Sequence, residues 1–133
     1  MTRKLLLSVL SLMLTSAPSW SQEPGRWKFV AMGPGGMTVS IDTRTIEQSD
    51  GVATVWVQYW YPGEWGKYIQ GRSVSKTLQR EEYHCRVMQS SVTSYVSSDK
   101  QGEVVFNGTY PTPTFTPIVP DSMSEAVWRA VCV

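Results

Sequence analysis

The sequence predicts an α+β fold, a mainly antiparallel β-sheet of about five to six strands with one C-terminal α-helix. Three observations predict it. From Trp27 to Gly108 apolar and polar residues alternate between turn signals. After Asp121 the pattern changes to an amphipathic repeat of three and four residues. Two cysteines, Cys85 and Cys132, are available to join these two parts.

The N-terminal stretch reads as an export signal. Arg3 and Lys4 precede an apolar run from Leu5 to Leu14, too short to span a bilayer that needs roughly 20 helical residues. Ser19 and Ser21 then occupy the −3 and −1 positions of a cleavage before Gln22. The expected organisation is a cleaved segment over 1–21 and a single domain over 22–133. No cysteine lies near the end of the apolar run, so no lipid anchor is expected and the mature protein should not insert in a membrane. The expected location is periplasmic or secreted, with the cell surface as a further possibility. The complete chain has 12 Lys+Arg and 11 Asp+Glu. Without Arg3 and Lys4 the mature domain has a net charge of −1. A near-neutral domain with no basic block gives no electrostatic case for nucleic acid.

The first strand is expected near Arg26–Met32, with Gly33-Pro34-Gly35-Gly36 turning it back into a partner at Met37–Ile41. Asp42–Gln48 reads as irregular, with Asp42 capping the turn at Thr43–Ile46. Gly51–Tyr61 carries apolar residues on both faces, the pattern of a central strand. Trp56 and Trp60 share one of those faces and are expected to be core beneath the helix. A long polar strand is expected over Arg72–Met88, another over Ser91–Ser97 and a short one over Glu103–Asn107. The four prolines of Tyr110–Pro120 exclude a central strand there. Ser122 and Glu125 form an S-x-x-E capping box for a helix over 122–132, about three turns and marginal alone. In an oxidising compartment Cys85 and Cys132 are expected to form one structural disulfide, two free thiols being the alternative.

Catalytic chemistry finds little support. His84 is the single histidine and sequence spacing gives it no partner base or nucleophile, so it reads as structural, neither metal nor haem ligand. Glu81 and Glu82 are adjacent and in a strand point to opposite faces. Asn107-Gly108-Thr109 matches a glycosylation sequon, read here as a chance match. No cofactor and no metal are expected. Binding is the better reading, because Tyr59, Tyr61, Trp65 and Tyr68 cluster with Trp60 around a Pro-Gly turn. Tyr and Trp bury large areas with few rotamers to freeze. These four are the candidate partner-binding residues, and the partner is a protein or a second copy, through the aromatic patch or a sheet edge.

The order of segments carries a resemblance. "VSIDTRTI" (Val39–Ile46), "VATVWVQYW" (Val52–Trp60), "SVSKTLQREEYHC" (Ser73–Cys85) and "IVPDSMSEAVWRAVC" (Ile118–Cys132) follow a Trp-bearing first strand. This resembles the surface-adhesin protein E family across essentially the whole mature chain. The resemblance implies a twisted antiparallel sheet with its helix tied by Cys85–Cys132, in the envelope of a Gram-negative bacterium. It implies a non-enzymatic protein that binds host proteins, extracellular-matrix components among them. Founding members are lipoproteins, whereas this chain lacks the lipobox, which favours a soluble protein. A periplasmic small-ligand-binding or accessory protein of the same fold is the alternative.

Overall fold

The computed structural model describes residues 25–63 and 66–133. The expected export signal, its cleavage site and Trp65 lie outside the described residues. Ten strands and one α-helix are found among the described residues. In chain order they are β1 (Trp27–Met32), β2 (Thr38–Asp42), β3 (Glu47–Ser49), β4 (Val52–Trp60) and β5 (Lys67–Ile69). There follow β6 (Arg72–Val74), β7 (Lys76–His84), β8 (Gln89–Ser98), β9 (Val104–Thr109), β10 (Thr116–Pro117) and α1 (Met123–Val131).

All pairings are antiparallel. Eight strands form the main sheet, in the order β1-β2-β4-β7-β8-β10, with β3 added to β4 and β9 to β8; β5 and β6 form a separate hairpin. The expectation of five to six strands was too low, for a physical reason. β2 and β3 lie end to end along β4, facing Ile41↔Val57 and Glu47↔Thr54. The turn between them interrupts the row, because the Asp42 side chain accepts from the Arg44 N–H at 3.1 Å and its carbonyl from the Thr45 N–H at 3.1 Å. Arg26 locks that carboxylate with two bonds of 2.7 and 3.0 Å. On the far edge β9 and β10 likewise share β8, separated by residues 110–115. The long strand expected over Arg72–Met88 is also divided. It bends at Ser75, whose N–H reaches Ser98 and whose carbonyl receives Tyr61, so β6 leaves the main sheet.

Alternation in β4 decides the core. Ala53, Val55 and Val57 point to one face and are fully buried with Val39, Ile41 and Tyr83 under Val127 and Val131 of α1. Trp56 and Trp60 point to the other face, which overturns their expected place beneath the helix; Trp60 is 45% exposed. The short branched set lets the helix approach the sheet closely, whereas two indoles would hold it away. Ser122 caps α1 through the Glu125 N–H at 3.2 Å, and Glu125 reaches back to the Asp121 N–H. Among the described residues no helix is long and apolar enough to cross a membrane.

Cys85 and Cys132 are bonded, with Cα atoms 5.3 Å apart and a sequence separation of 47. Cys85 sits in the turn just past β7, and Trp128 Nε1 donates to the adjoining His84 carbonyl at 2.8 Å. Closing a loop of this length removes about 4 kcal/mol of unfolded-state chain entropy. Replacing both cysteines by serine is therefore expected to lower the unfolding free energy in urea by about 4 kcal/mol. An unchanged midpoint would show that the helix holds without its tether.

Candidate functional site

The sheet has two unequal faces. On the helix side, α1 covers only the half built by β1, β2 and β4. The other half, over β7, β8 and β9, is the floor of a cleft of about 650 Å³. Thr77, Gln79, Tyr95 and Ser97 project from that floor, and the Thr77 and Ser97 hydroxyls bond at 2.8 Å. One wall is the β5–β6 hairpin with Tyr61, Lys67, Ile69 and Gln70. The other is the proline-rich loop, with Tyr110, Thr112, Thr114 and Thr116.

The walls have identifiable supports. Lys67 Nζ lies 5.4 Å from the Tyr61 ring centroid, a cation–π contact. Arg72 lies similarly over Phe106, at 5.9 Å. The Tyr95 and Tyr110 rings approach to 5.9 Å. Tyr95 rests on Gly108, directly opposite it in the register, where a β-carbon would come within 2.7 Å of the ring. Gly66 joins the hairpin to the body with φ +56, and a β-carbon there would stand 2.4 Å from the Val74 carbonyl oxygen. Both conditions demand glycine.

Between the helix-covered core and the cleft lies Glu81, 4% exposed. Its carboxylate accepts from the Tyr59 hydroxyl at 2.6 Å and from the Tyr83 hydroxyl. Burial pushes the Glu81 carboxyl above its ordinary range, and the two tyrosine bonds pull it back only in part. Burial also raises both tyrosines, reinforced by the neighbouring carboxylate, so both stay protonated donors. At the far end of α1 the opposite holds: the Arg129 guanidinium, and then the Asp121 N–H, hold Glu125 below the ordinary carboxylate range.

The second face has no described element over it. Register places Met32, Thr38, Trp60 and Lys76 in one row across it, and Phe29, Ser40, Gln58 and Leu78 in the next. Met32 is 66% exposed and Phe29 57%. Trp27 and Trp56 extend this apolar zone and are half-buried.

Of the candidate residues read from the sequence, the three described ones, Tyr59, Tyr61 and Tyr68, do not form one patch. Tyr59 packs against the core and spends its hydroxyl on Glu81. Tyr61 lines the cleft, and Tyr68 is exposed on β5 outside it. His84 sets its ring edge-on to Phe115, with centroids 4.2 Å apart and planes at 89°. Glu81 and Glu82 do point to opposite faces, facing Val55 and Thr54 on β4. The sequon residues lie in β9. Among the described residues no group of three His, Cys, Asp or Glu side chains could hold a metal ion. Sequence reasoning missed the pairing of Phe29 with Met32, because plain alternation puts them on opposite faces and only the register shift between Phe29 and Ala31 brings them to one. It also missed the cleft, which only the pairing of distant strands creates.

Comparison with known proteins bears on the fold. The family model described as Surface-adhesin protein E matches residues 27–133. A structure of Haemophilus influenzae protein E is similar with a TM-score of 0.55 at 10% identity, covering 89% of this chain and 90% of that one. Its second crystal form gives 0.57 at 10% identity, covering 90% and 95%. Protein E from a non-typeable strain gives 0.51 at 11% identity, covering 90% and 82%. At such identities the likeness speaks for the fold alone. No curated protein sequence matches the chain.

Two predictions follow from the geometry. Because native Glu81 holds its proton more tightly than unfolded Glu81, stability falls as pH rises from the ordinary carboxyl pKa through the raised one. Glu125 acts lower: its contribution is present above the ordinary value and is lost as pH falls through its depressed one. Glu81→Gln should thus flatten the fall in thermal stability that sets in as pH rises above the ordinary carboxyl pKa. Parallel profiles for both proteins would refute the raised Glu81 carboxyl. Separately, Gly66→Ala should unseat the hairpin wall, read as accelerated amide exchange over β5 and β6 with β7 and β8 unaffected.

Proposed function

The chain belongs to the surface-adhesin protein E family, and from that membership and the open sheet face we propose a non-catalytic envelope protein that holds a protein partner. The observation that carries this reading is the apolar zone of Phe29 and Met32 on β1 and Trp60 on β4, exposed on either side of Thr38 and Ser40 of β2. Burying such side chains against a partner gains free energy in proportion to apolar area, and exposed clusters of them mark interaction surfaces. Tryptophan at the centre of such a zone is the residue type that most often carries binding energy.

The edges of the sheet are poorer candidates. β1 has an irregular register between Phe29 and Ala31, and the opposite edge is broken between β9 and β10. Neither presents the long regular ladder that strand addition uses. Self-association through an edge is therefore disfavoured relative to docking on the face. The expected export signal would deliver the domain to the envelope, and an extracellular-matrix protein of a host is the partner class the family implies.

Protease shaving of intact cells tests display. The domain is expected to be cleaved while a periplasmic control survives; protection until the outer membrane is opened would move the protein to a periplasmic role. Binding to a panel of immobilised matrix proteins tests the face. Trp60→Ser with Phe29→Ser is expected to weaken binding about thirtyfold or more without loss of fold, the effect of removing one binding hot spot. Unchanged binding by that folded variant would clear the face of the role.

A further inference from the structure

The cleft on the helix side is a second, chemically different surface, and an inference about it does not rest on the aromatic face. We propose that it binds a short oligosaccharide bearing a carboxylate. Its volume of about 650 Å³ lies within the range of small-molecule sites, roughly 300–1,000 Å³.

The lining selects the ligand class. Its polar groups are almost all neutral hydroxyls and amides, from Thr77, Gln79, Ser97, Thr112, Thr114 and Thr116. Hydroxyls both donate and accept, which matches the hydroxyl-rich rim of a sugar ring better than it matches an ion. Tyr61, Tyr95, Phe106 and Tyr110 supply aromatic surface for the apolar faces of such rings. Among the described lining residues Lys67 is the single charged side chain, and there is no carboxylate. Arg72, on the paired strand of the same hairpin, adds a second cation over Phe106. The field at the hairpin wall therefore favours one negative group at that end of the ligand. A nucleotide is the poorer fit. Among the described residues the cleft has no helix N-terminus and no fork of arginines to hold a phosphate, the usual means of doing so. A fatty chain is poorer still, because the floor hydroxyls would lose water without gaining partners.

The geometry also explains two otherwise unexplained demands. Gly66 seats the hairpin that carries Lys67, and Gly108 lets the Tyr95 ring lie flat on the floor. Each shapes a wall or floor of the cleft and neither contributes to the core under α1.

Saturation-transfer NMR and titration calorimetry with the mature protein, using 3′-sialyllactose, lactose and AMP as probes, decide the matter. The expected result is binding of 3′-sialyllactose about tenfold or more tighter than lactose, the worth of one charge-assisted hydrogen bond. Lys67→Ala should bring 3′-sialyllactose down to the lactose level, and Tyr110→Ala should weaken both sugars. Far-ultraviolet circular dichroism confirms that each variant is folded. Absence of binding by either sugar at millimolar concentration overturns the proposal. So does preference for AMP, or an equal response to both sugars that Lys67→Ala leaves unchanged. Trp60→Ser with Phe29→Ser must leave sugar binding intact; loss there would place the sugar on the other face and also overturn it.

Discussion

The attachment of α1 to one half of one sheet face is the constraint on which the rest depends. A helix of nine residues gains little from its own hydrogen bonds and would be marginal alone. Three separate devices hold it. Val127 and Val131 bury against branched side chains of β2 and β4, the Cys85–Cys132 bond anchors its last turn, and Trp128 ties its middle to the His84 carbonyl. The tether enters the sheet at the end of β7, the strand between the covered half and the open half. Fixing the helix there leaves the β7–β8–β9 floor uncovered. The cleft is the direct consequence of a helix too short to roof the whole sheet.

Interruptions in the sheet give that floor its walls. The row of β2 and β3 beside β4 and the row of β9 and β10 beside β8 are each two short strands with a loop between them, and the loop between β9 and β10 rises beside the floor. Opposite it, the bend at Ser75 turns β6 out of the main sheet, and β5 pairs with it as a free-standing hairpin. A two-stranded hairpin is seldom stable alone. Here its seat is the close passage of Gly66 over the Val74 carbonyl and the bond from Tyr61 to Ser75. The region that shapes the cleft is thus less tightly held than the core, as expected of surfaces that admit a ligand.

Legibility in the sequence followed the range of the interactions. The capping box at Ser122, the Gly-Pro turn between β1 and β2 and the Asp42 turn are local, and residue spacing alone exposes them. The disulfide was legible because two cysteines in a chain expected to be exported leave few choices. Strand number was not, since breaks at Ser75 and between β9 and β10 depend on where a distant partner strand ends. Nor was the face of Trp56 and Trp60: β4 is apolar on both sides, and only the helix, 63 residues beyond Trp60 at its start, selects Val55 and Val57 for burial. The Glu81 pairing with Tyr59 and Tyr83 shows both cases. The spacing of Glu81 and Tyr83 puts them on one face, but Tyr59 arrives from another strand.

The uncovered face carries its own internal contrast. Across β7 and β8 it bears Lys76, Arg80 and Ser94, with Leu78 and Val96 paired between them, all half-buried. Across β1, β2 and β4 the same face bears Trp27, Phe29, Met32, Trp56 and Trp60. One sheet face thus gathers its exposed aromatic rings on β1 and β4 and carries aliphatic and charged side chains on β7, so neither strand propensity nor folding requires the aromatic half. Aromatic residues favour strands on either face, yet threonine and valine would serve β-structure equally without exposing indole and phenyl rings to water. Their exposure confers nothing on the isolated domain and adds a liability to aggregation. Such a pattern is accounted for by a surface that spends part of its existence covered, with the Lys76–Arg80 side setting the polar border of the footprint.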